Sequence, residues 1–205
     1  MQELYIDKHP CFNKDAHNKY ARIHLPLAPN CNISCRYCER KFDCPNESRP
    51  GVSSKVLNVE ESMERLDNIV KSQVNLKVIG IAGPGEPLFN EETFEFLEKA
   101  DKKYPHLLKC LSSNGLLVEE KINDIVRCNV GSLTITINGN SEEVLEKIYR
   151  KINYNKKAIT YKEFSKKQWT GVKMAVERDI IVKVNTVLIP GVNESEIIDI
   201  AKKAK

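Results

Sequence analysis

The sequence predicts an α/β fold, namely a partial, TIM-like (β/α) barrel of about five to six parallel strands with an irregular N-terminal arm. Short apolar segments alternate with amphipathic ones, which predicts alternating strands and helices. The apolar segments are also nearly continuous, as in parallel strands covered on both faces. The unusual polar motifs follow these segments, at the strand ends where barrels carry their active sites.

The composition is that of a single globular domain, with 205 residues, 41% hydrophobic and 29% charged. We divide the chain into an arm over residues 1–20, which carries one candidate ligand cysteine, and a barrel over residues 21–205. The apolar runs are strand-sized, and no stretch of signal-peptide length begins the chain, so we expect a cytoplasmic protein without a membrane segment. In that setting, seven cysteines indicate metal or redox ligands.

The net charge of +4 is modest. Lysine pairs at 156/157, 166/167 and 202/203 lack an aromatic platform or a dense basic stripe around them. We therefore interpret them as solvated faces and expect no nucleic-acid partner.

The first strand is expected at residues 24–28, where Pro29 ends it and delivers Cys31 to a loop. Asn58 is expected to cap an amphipathic helix that runs to residue 69. Further strands are expected at residues 77–82, 107–111, 132–137 and 180–188. Further helices are expected at residues 91–104 and 119–128, from the cap Ser141 to Ile152, through Trp169 and Val176, and around residues 197–201. Residues 151–161 are expected to form a polar excursion.

Cys31, Cys35 and Cys38 form the strongest motif, with Tyr37 directly before the third cysteine. Three thiolates can bind three irons of one cuboidal cluster and leave the fourth iron open to another ligand. A zinc site normally uses four ligands in two closely spaced pairs, a pattern that this trio does not match. We therefore predict a catalytic 4Fe–4S cluster here, against a structural zinc or three unrelated thiols.

A second motif, residues 82–87, follows the second expected strand and reads Ala-Gly-Pro-Gly-Glu-Pro. Its two glycines permit close backbone approach to a ligand, and Glu86 offers an acceptor to an ammonium group, although an ordinary turn fits equally well. Short polar groups for carboxylate and hydroxyl recognition follow the later strands, and each also fits a turn or strand residue. They are Ser113, Asn114, Thr136, Asn138 and Asn185.

Three further cysteines, Cys11, Cys44 and Cys110, are candidates to converge on the same mouth of the barrel. Taken singly, each is more often a small buried hydrophobe than a ligand. Cys128 has no polar companions at its helix end, and we interpret it as a buried hydrophobe only.

The cysteine trio and the glycine motif resemble those of the radical SAM superfamily, which uses S-adenosylmethionine (SAM). A longer and more specific match resembles the NifB family of nitrogenase cofactor maturases. It includes residues 9–12 (His-Pro-Cys-Phe), 28–52, 113–116, 134–138 and 183–191.

This resemblance implies a radical SAM partial barrel in which the open iron chelates SAM and one electron cleaves its sulfonium bond to yield a 5′-deoxyadenosyl radical. Gly83, Gly85, Glu86 and Pro87 then fall at the loop that grips the SAM amino group. The family fuses additional 4Fe–4S clusters, with carbide from the SAM methyl group, into the eight-iron precursor of the nitrogenase cofactor. The implied partners are SAM, substrate clusters from an assembly scaffold, and a cofactor carrier or nitrogenase maturation scaffold.

Matched residue by residue, the resemblance also implies ligands for the substrate clusters. Cys11, Cys44 and Cys110 fall where the family ligates one substrate cluster, and His24 falls near the other. Glu47 is a candidate cluster or proton-handling group. The family continues to a cysteine pair that has no counterpart here, so we expect its C-terminal unit to be missing.

Two other functions remain open on the sequence. One is a different radical SAM enzyme with a single auxiliary cluster, and the other is a non-catalytic iron–sulfur carrier or scaffold.

Overall fold

A computed structural model describes residues 2–39, 44–46, 55–72 and 75–205. Five parallel strands form its central sheet, in which spatial order follows chain order. These strands are β1 (Ala21–Leu25), β3 (Leu76–Ile81), β4 (Leu108–Ser113), β5 (Val130–Thr136) and β8 (Ile181–Asn185). The expected α/β fold with an open, barrel-like parallel sheet is confirmed.

Helices lie before, between and after these strands, and those between them form the crossover connections that parallel strands require. They are α1 (Gln2–Lys8), α2 (Lys14–Lys19), α3 (Val59–Lys71), α4 (Glu91–Lys103), α5 (Val118–Arg127), α6 (Glu142–Ile148), α7 (Tyr161–Glu177) and α8 (Ile197–Ala204). Asn58 caps α3 as expected, since its side chain accepts from the Glu61 N–H at 2.8 Å and the Glu61 carboxylate accepts from the Asn58 N–H at 3.1 Å. None of the described helices is both long enough and apolar enough to cross a bilayer.

The main core lies between the sheet and these helices. Leu25, Ile79, Leu111 and Leu133 of the strands are buried in the same apolar cluster as Leu97 of α4. Cys128 is fully buried in this cluster, which confirms its interpretation as a hydrophobe.

A second, smaller antiparallel sheet corrects the expectation for residues 151–161. Its strands are β2 (Ile33–Cys35), β6 (Tyr149–Tyr154) and β7 (Lys157–Ala158), in the order β2–β6–β7. Ile152 therefore lies in a strand opposite Ile33, not in the helix where its spacing from Ile148 placed it. The pairing register is interrupted between Ser34 and Cys35, and Tyr149 and Ile152 are both buried although they lie three positions apart.

The N-terminal arm was expected to be irregular, and the structure corrects this because α1 and α2 occupy most of it. Asn13 caps α2, since its side-chain oxygen accepts from the N–H groups of Asp15 and Ala16 at 2.8 and 3.2 Å. The first strand also starts earlier than expected, at Ala21, and ends at Leu25.

Candidate active site

A cleft at the carboxyl ends of the sheet strands is lined by half of the candidate residues. It encloses about 540 Å³ of atom-free space that is open to solvent. Four cysteines line it together with residues of the glycine motif and of the β4 and β5 ends. The lining consists of Cys31, Ile33, Cys35, Cys38, Cys44, Asn46, Ala82, Pro84, Gly85, Glu86, Ser112, Ser113, Asn114 and Thr136.

The glycine motif holds the segment that precedes Cys31. The Gly85 N–H donates to the Ala28 carbonyl at 2.5 Å, and the Glu86 N–H donates to the Asn30 carbonyl at 2.8 Å. A Cβ on Gly85 would lie only 2.2 Å from the Asn30 carbonyl oxygen, so this backbone contact requires glycine. The segment just before Cys31 is thereby held against the loop that follows β3.

Glu86 joins the loops that follow β3 and β4. Its carboxylate accepts from the Ser113 hydroxyl at 2.7 Å, from the Asn114 N–H at 2.6 Å and from the Leu88 N–H at 3.1 Å. Burial raises the pKa of this carboxyl to about 7, against the lowering effect of these three donors. Three of its acceptor sites are thus used within the chain, and its predicted contact with a SAM ammonium group stays a prediction.

Asn46 is oriented by a network behind the cysteine loop. Its side-chain oxygen accepts from the Tyr37 hydroxyl and, at 3.4 Å, from the Asn138 amide, which directs its side-chain nitrogen toward the Cys35 sulfur at 3.9 Å. The Asn185 amide donates to the Asn46 carbonyl at 2.7 Å. Tyr37, Asn138 and Asn185 therefore act here on the loop that carries the thiols.

The small sheet positions Cys35 itself. Cys35 lies opposite Tyr149 of β6, and the Arg36 N–H donates to the Ile148 carbonyl at 2.8 Å. Cys35 belongs to an apolar cluster with Tyr149 and Phe164, against which Cys31 and Cys38 pack. The sequence pattern did not predict β6, so it did not predict this support of the cysteine loop either.

A second group of candidates lies deeper along the sheet. His24, Gly80 and Cys110 are in register across β1, β3 and β4. A Cβ on Gly80 would lie 2.6 Å from the His24 ring, so the absence of a side chain at this position makes room for the imidazole.

Cys11 joins this second group from the arm. Its sulfur accepts from the Arg22 guanidinium, and both Cys11 and Cys110 raise the pKa of Tyr5, after the larger effect of burial. The Tyr5 hydroxyl donates to the Lys109 carbonyl at 2.8 Å, which ties α1 to β4.

Beside Cys11, His9 is fully buried, and its Nδ1 accepts from the Cys11 N–H at 3.1 Å. Burial and the neighbouring cations Arg22 and Lys183 lower the pKa of His9 to about 4. The deeper group thus combines cysteines and histidines with nearby cations.

Cys44 lies with the trio instead of with Cys11 and Cys110. Its Cβ is 3.2 Å from a Cβ placed on Gly83, and burial raises its pKa to about 12, with smaller contributions from Cys35, Cys31 and Cys38. Among the described residues, no three His, Cys, Asp or Glu side chains converge closely enough to hold one metal ion. The ligand assignment of Cys11, Cys44 and Cys110 to one cluster stays a prediction, and Glu47 lies outside the described residues.

Sequence reasoning missed Asn46, Asn90 and Tyr149. The Asn90 side-chain amide donates to the carbonyls of Asn30 and Glu86 at 2.9 and 2.7 Å, and so links the two loops. Its only sequence signal is its place three residues after the glycine motif, at the N-cap position directly before α4.

Comparison with known proteins agrees with this geometry. The family model described as "Radical SAM superfamily" matches residues 25–204. Over 203 residues the chain is 48% identical to the FeMo cofactor biosynthesis protein NifB of Methanocaldococcus infernus, an alignment that covers 96% of this chain and 67% of the relative. The chain belongs to the NifB family of the radical SAM superfamily.

Two further relatives have the same name. The NifB of Methanocaldococcus jannaschii is 45% identical and aligns over 96% of this chain and 67% of its own length. The NifB of Chlorobaculum tepidum is 42% identical over 98% of this chain and 48% of its own length. The chain thus spans about two thirds of the length of the two Methanocaldococcus relatives and about half of the length of the Chlorobaculum relative.

The cleft fits the 4Fe–4S cluster and SAM that membership of this superfamily implies. Four thiols and several short polar groups line this one solvent-open cleft. In a cuboidal cluster each cysteine binds a different iron, so its sulfurs do not need the tight convergence of a single-ion site. Cys31, Cys35 and Cys38 are the residues that would hold this cluster.

Proposed function

We propose that this chain is a radical SAM maturase that binds a SAM-cleaving 4Fe–4S cluster and fuses substrate clusters, with carbide from the SAM methyl group, into the eight-iron precursor of the nitrogenase cofactor. The observation that carries the proposal is the shared cleft, in which Cys31, Cys35 and Cys38 meet the glycine motif. Its relatives are named FeMo cofactor biosynthesis proteins, which supports a role in assembly of that cofactor.

The cluster and SAM, when bound, supply one-electron cleavage of the sulfonium bond. The chain's own residues orient and enclose them. The Gly85 and Glu86 backbone fixes the approach to Cys31, and the Glu86 carboxylate fixes Ser113 and Asn114 against the glycine motif. The Asn46 amide, held by Tyr37 and Asn138, donates toward the Cys35 sulfur.

The deeper group supports a role in binding the substrate clusters. Cys110 and His24 lie at matching register positions on β4 and β1, with Gly80 of β3 between them. The Cys11 sulfur accepts a hydrogen bond from Arg22. Thiolate-ligated clusters are anionic, so the cations Arg22 and Lys183 near His9 favour their binding. Cys44 lines the cleft with the trio, yet it matches a substrate-cluster ligand of the family.

Iron and sulfide counting on the anaerobically reconstituted chain tests the proposal. About twelve irons are expected for the full set, about eight for a radical SAM enzyme with one auxiliary cluster, and about four for the SAM cluster alone. Incubation with SAM and a strong reductant separates an enzyme from a carrier, because only an enzyme yields 5′-deoxyadenosine or S-adenosylhomocysteine.

Two single substitutions distinguish the cysteines assigned to the SAM cluster from those assigned to the substrate clusters. Cys35→Ala is expected to abolish SAM cleavage, whereas Cys110→Ala is expected to retain it and lose the eight-iron product. An eight-iron product from the Cys110→Ala protein would contradict the role that we assign to Cys110.

A further inference from the structure

Positive charge is concentrated in one part of the chain, and this concentration revises our interpretation of the lysine pairs 156/157 and 166/167 as solvated faces. Residues 149–167 contain seven cations and one carboxylate, a net charge of +6, whereas the whole chain has 32 cations and 28 carboxylates, a net charge of +4. The other 186 residues therefore carry a net charge of −2. This stretch comprises β6, β7 and the start of α7, and we name it the basic hairpin.

The cations of the basic hairpin are not neutralised locally. Six of them are exposed and form no ion pair with any described residue: Arg150, Lys151, Lys156, Lys157, Lys162 and Lys166. The seventh, Lys167, pairs with Glu119 at 3.3 Å. The single carboxylate of the stretch, on Glu163, accepts from the Thr160 N–H at 3.0 Å in a helix cap.

The lysine at the tip of the hairpin is not required by the turn. Asn155 and Lys156 both have positive φ, 49° and 64°, the conformation of a two-residue turn in which Asn-Gly is preferred. A lysine at the second position is conformationally less favourable than glycine. The sequence thus keeps a cation where backbone geometry favours a residue without a side chain.

The basic hairpin lies beside the cysteine loop. Lys151 is opposite Ser34, and Tyr149 is opposite Cys35, in the β2–β6 pairing. Adjacent strands are about 4.8 Å apart, so this cationic surface is one strand away from a thiol of the cleft. Cys35 is buried, while Lys151 is exposed on the neighbouring strand.

We propose that the basic hairpin docks an acidic electron-carrier protein, which delivers one electron to the cluster in the cleft. The inference rests on the proposed function, because it requires a redox-active cluster held by Cys31, Cys35 and Cys38. The step transfers one electron from the reduced carrier to the oxidised cluster, and no bond forms or breaks. Redox encounters use small, weak interfaces, and complementary charge raises their association rate.

The test measures the rate at which a reduced acidic flavodoxin reduces the reconstituted chain in a stopped-flow instrument. The triple variant Lys151→Glu, Lys156→Glu, Lys157→Glu is expected to react about tenfold more slowly at low salt and to lose most of its salt dependence. The matched control Arg65→Glu, Lys71→Glu, Lys102→Glu makes the same charge change at exposed positions on α3 and α4 and is expected to stay within about twofold of wild type.

A small-molecule reductant separates docking from cluster chemistry. With titanium(III) citrate, wild type and both triple variants are expected to be reduced equally and to cleave SAM. If wild type is not reduced by titanium(III) citrate, the proposed function itself fails. If the hairpin variant is slow with titanium(III) citrate as well, or is as fast as wild type with flavodoxin, the docking proposal is overturned.

The single variant Lys156→Gly tests the same charge effect without the risk that three substitutions disturb the fold. It removes one cation and gives the turn its preferred residue, so the fold is expected to be at least as stable while the flavodoxin rate falls about twofold. An unchanged flavodoxin rate in this variant would contradict docking of an electron carrier. So would charge variants that are reduced normally by flavodoxin and are slowed only when they receive clusters from an acidic scaffold protein.

Discussion

The side-chain nitrogen of Asn46 lies 3.9 Å from the sulfur of Cys35, and the Tyr37 hydroxyl and the Asn138 amide fix that orientation from the opposite side. An N–H group that points at a ligand sulfur stabilises the more negative, reduced form of an iron–sulfur cluster. Asn46 therefore links the folding of the loop to the electron affinity of the predicted cluster.

We predict that Asn46→Leu lowers the midpoint potential of the reconstituted cluster. A hydrogen bond that is ~1.4 kcal/mol stronger in the reduced form than in the oxidised form raises the potential of a one-electron couple by about 60 mV, which the variant would lose. Tyr37→Phe, which frees the amide without removing it, is expected to give a smaller fall. Potentiometric titration followed by EPR measures both, with the exposed Asn68→Leu as the control that should not change the potential.

Gly85→Ala tests the contact between the glycine motif and the segment before Cys31. The new methyl group would meet the Asn30 carbonyl oxygen at 2.2 Å and the Ala28 carbonyl oxygen at 2.7 Å, so the two segments must separate. We expect a loss of about 3 kcal/mol in unfolding free energy and a loss of SAM binding.

Gly191→Ala is the matched control for that substitution. Nothing lies within 4 Å of a Cβ placed there, and only its positive φ of +74° opposes a side chain. A cost of about 1 kcal/mol is expected, with SAM binding retained. Equal losses from the two substitutions would show that the Gly85 contact has no special role.

Glu86 is expected to make the stability of the apo-protein depend on pH. Burial raises its folded pKa from 4.5 to about 7, so the folded state keeps a proton that the unfolded state has already lost. The contribution of Glu86 to stability is therefore greatest below about pH 4.5 and falls by up to about 3 kcal/mol as the pH rises to about 7. Urea unfolding of wild type and Glu86→Gln checks this, because the variant should lack the slope between pH 5 and 7.

Cys128→Ala separates a structural thiol from the ligand thiols. Cys128 is fully buried in the main core, and burial raises its pKa to about 11. Its replacement is expected to cost about 1 kcal/mol and to leave the iron content unchanged. Cys38→Ala, in contrast, should lose about four irons, those of the SAM cluster. Iron loss in the Cys128→Ala protein would contradict a purely structural role for that thiol.

The sheet was predictable because parallel strands buried on both faces must be apolar. The segments around Ile79, Leu111 and Ile135 therefore stand out in the sequence, and the helices between them have regular caps such as Asn58. The small sheet was not predictable in the same way. Its strands are short and lysine-rich, and Ile148 and Ile152 have helical spacing although Ile152 lies in β6.

The sequence predicts those parts of the candidate site whose residues lie close together in the chain. The spacing of Cys31, Cys35 and Cys38 and the glycine motif identified the two sides of the cleft. The roles of Glu86 and Asn46 depend on contacts with Asn114 and Cys35, and such contacts between separate segments leave no pattern in one sequence.

The most direct test of the account is EPR spectroscopy of the reconstituted, reduced chain with and without SAM. If Cys31, Cys35 and Cys38 hold a cluster with one open iron in this cleft, a one-electron-reduced 4Fe–4S signal appears, and its g-values shift when SAM binds. An unchanged spectrum on addition of SAM, or a redox-inert ion held by these three cysteines and a fourth side chain, would contradict the account.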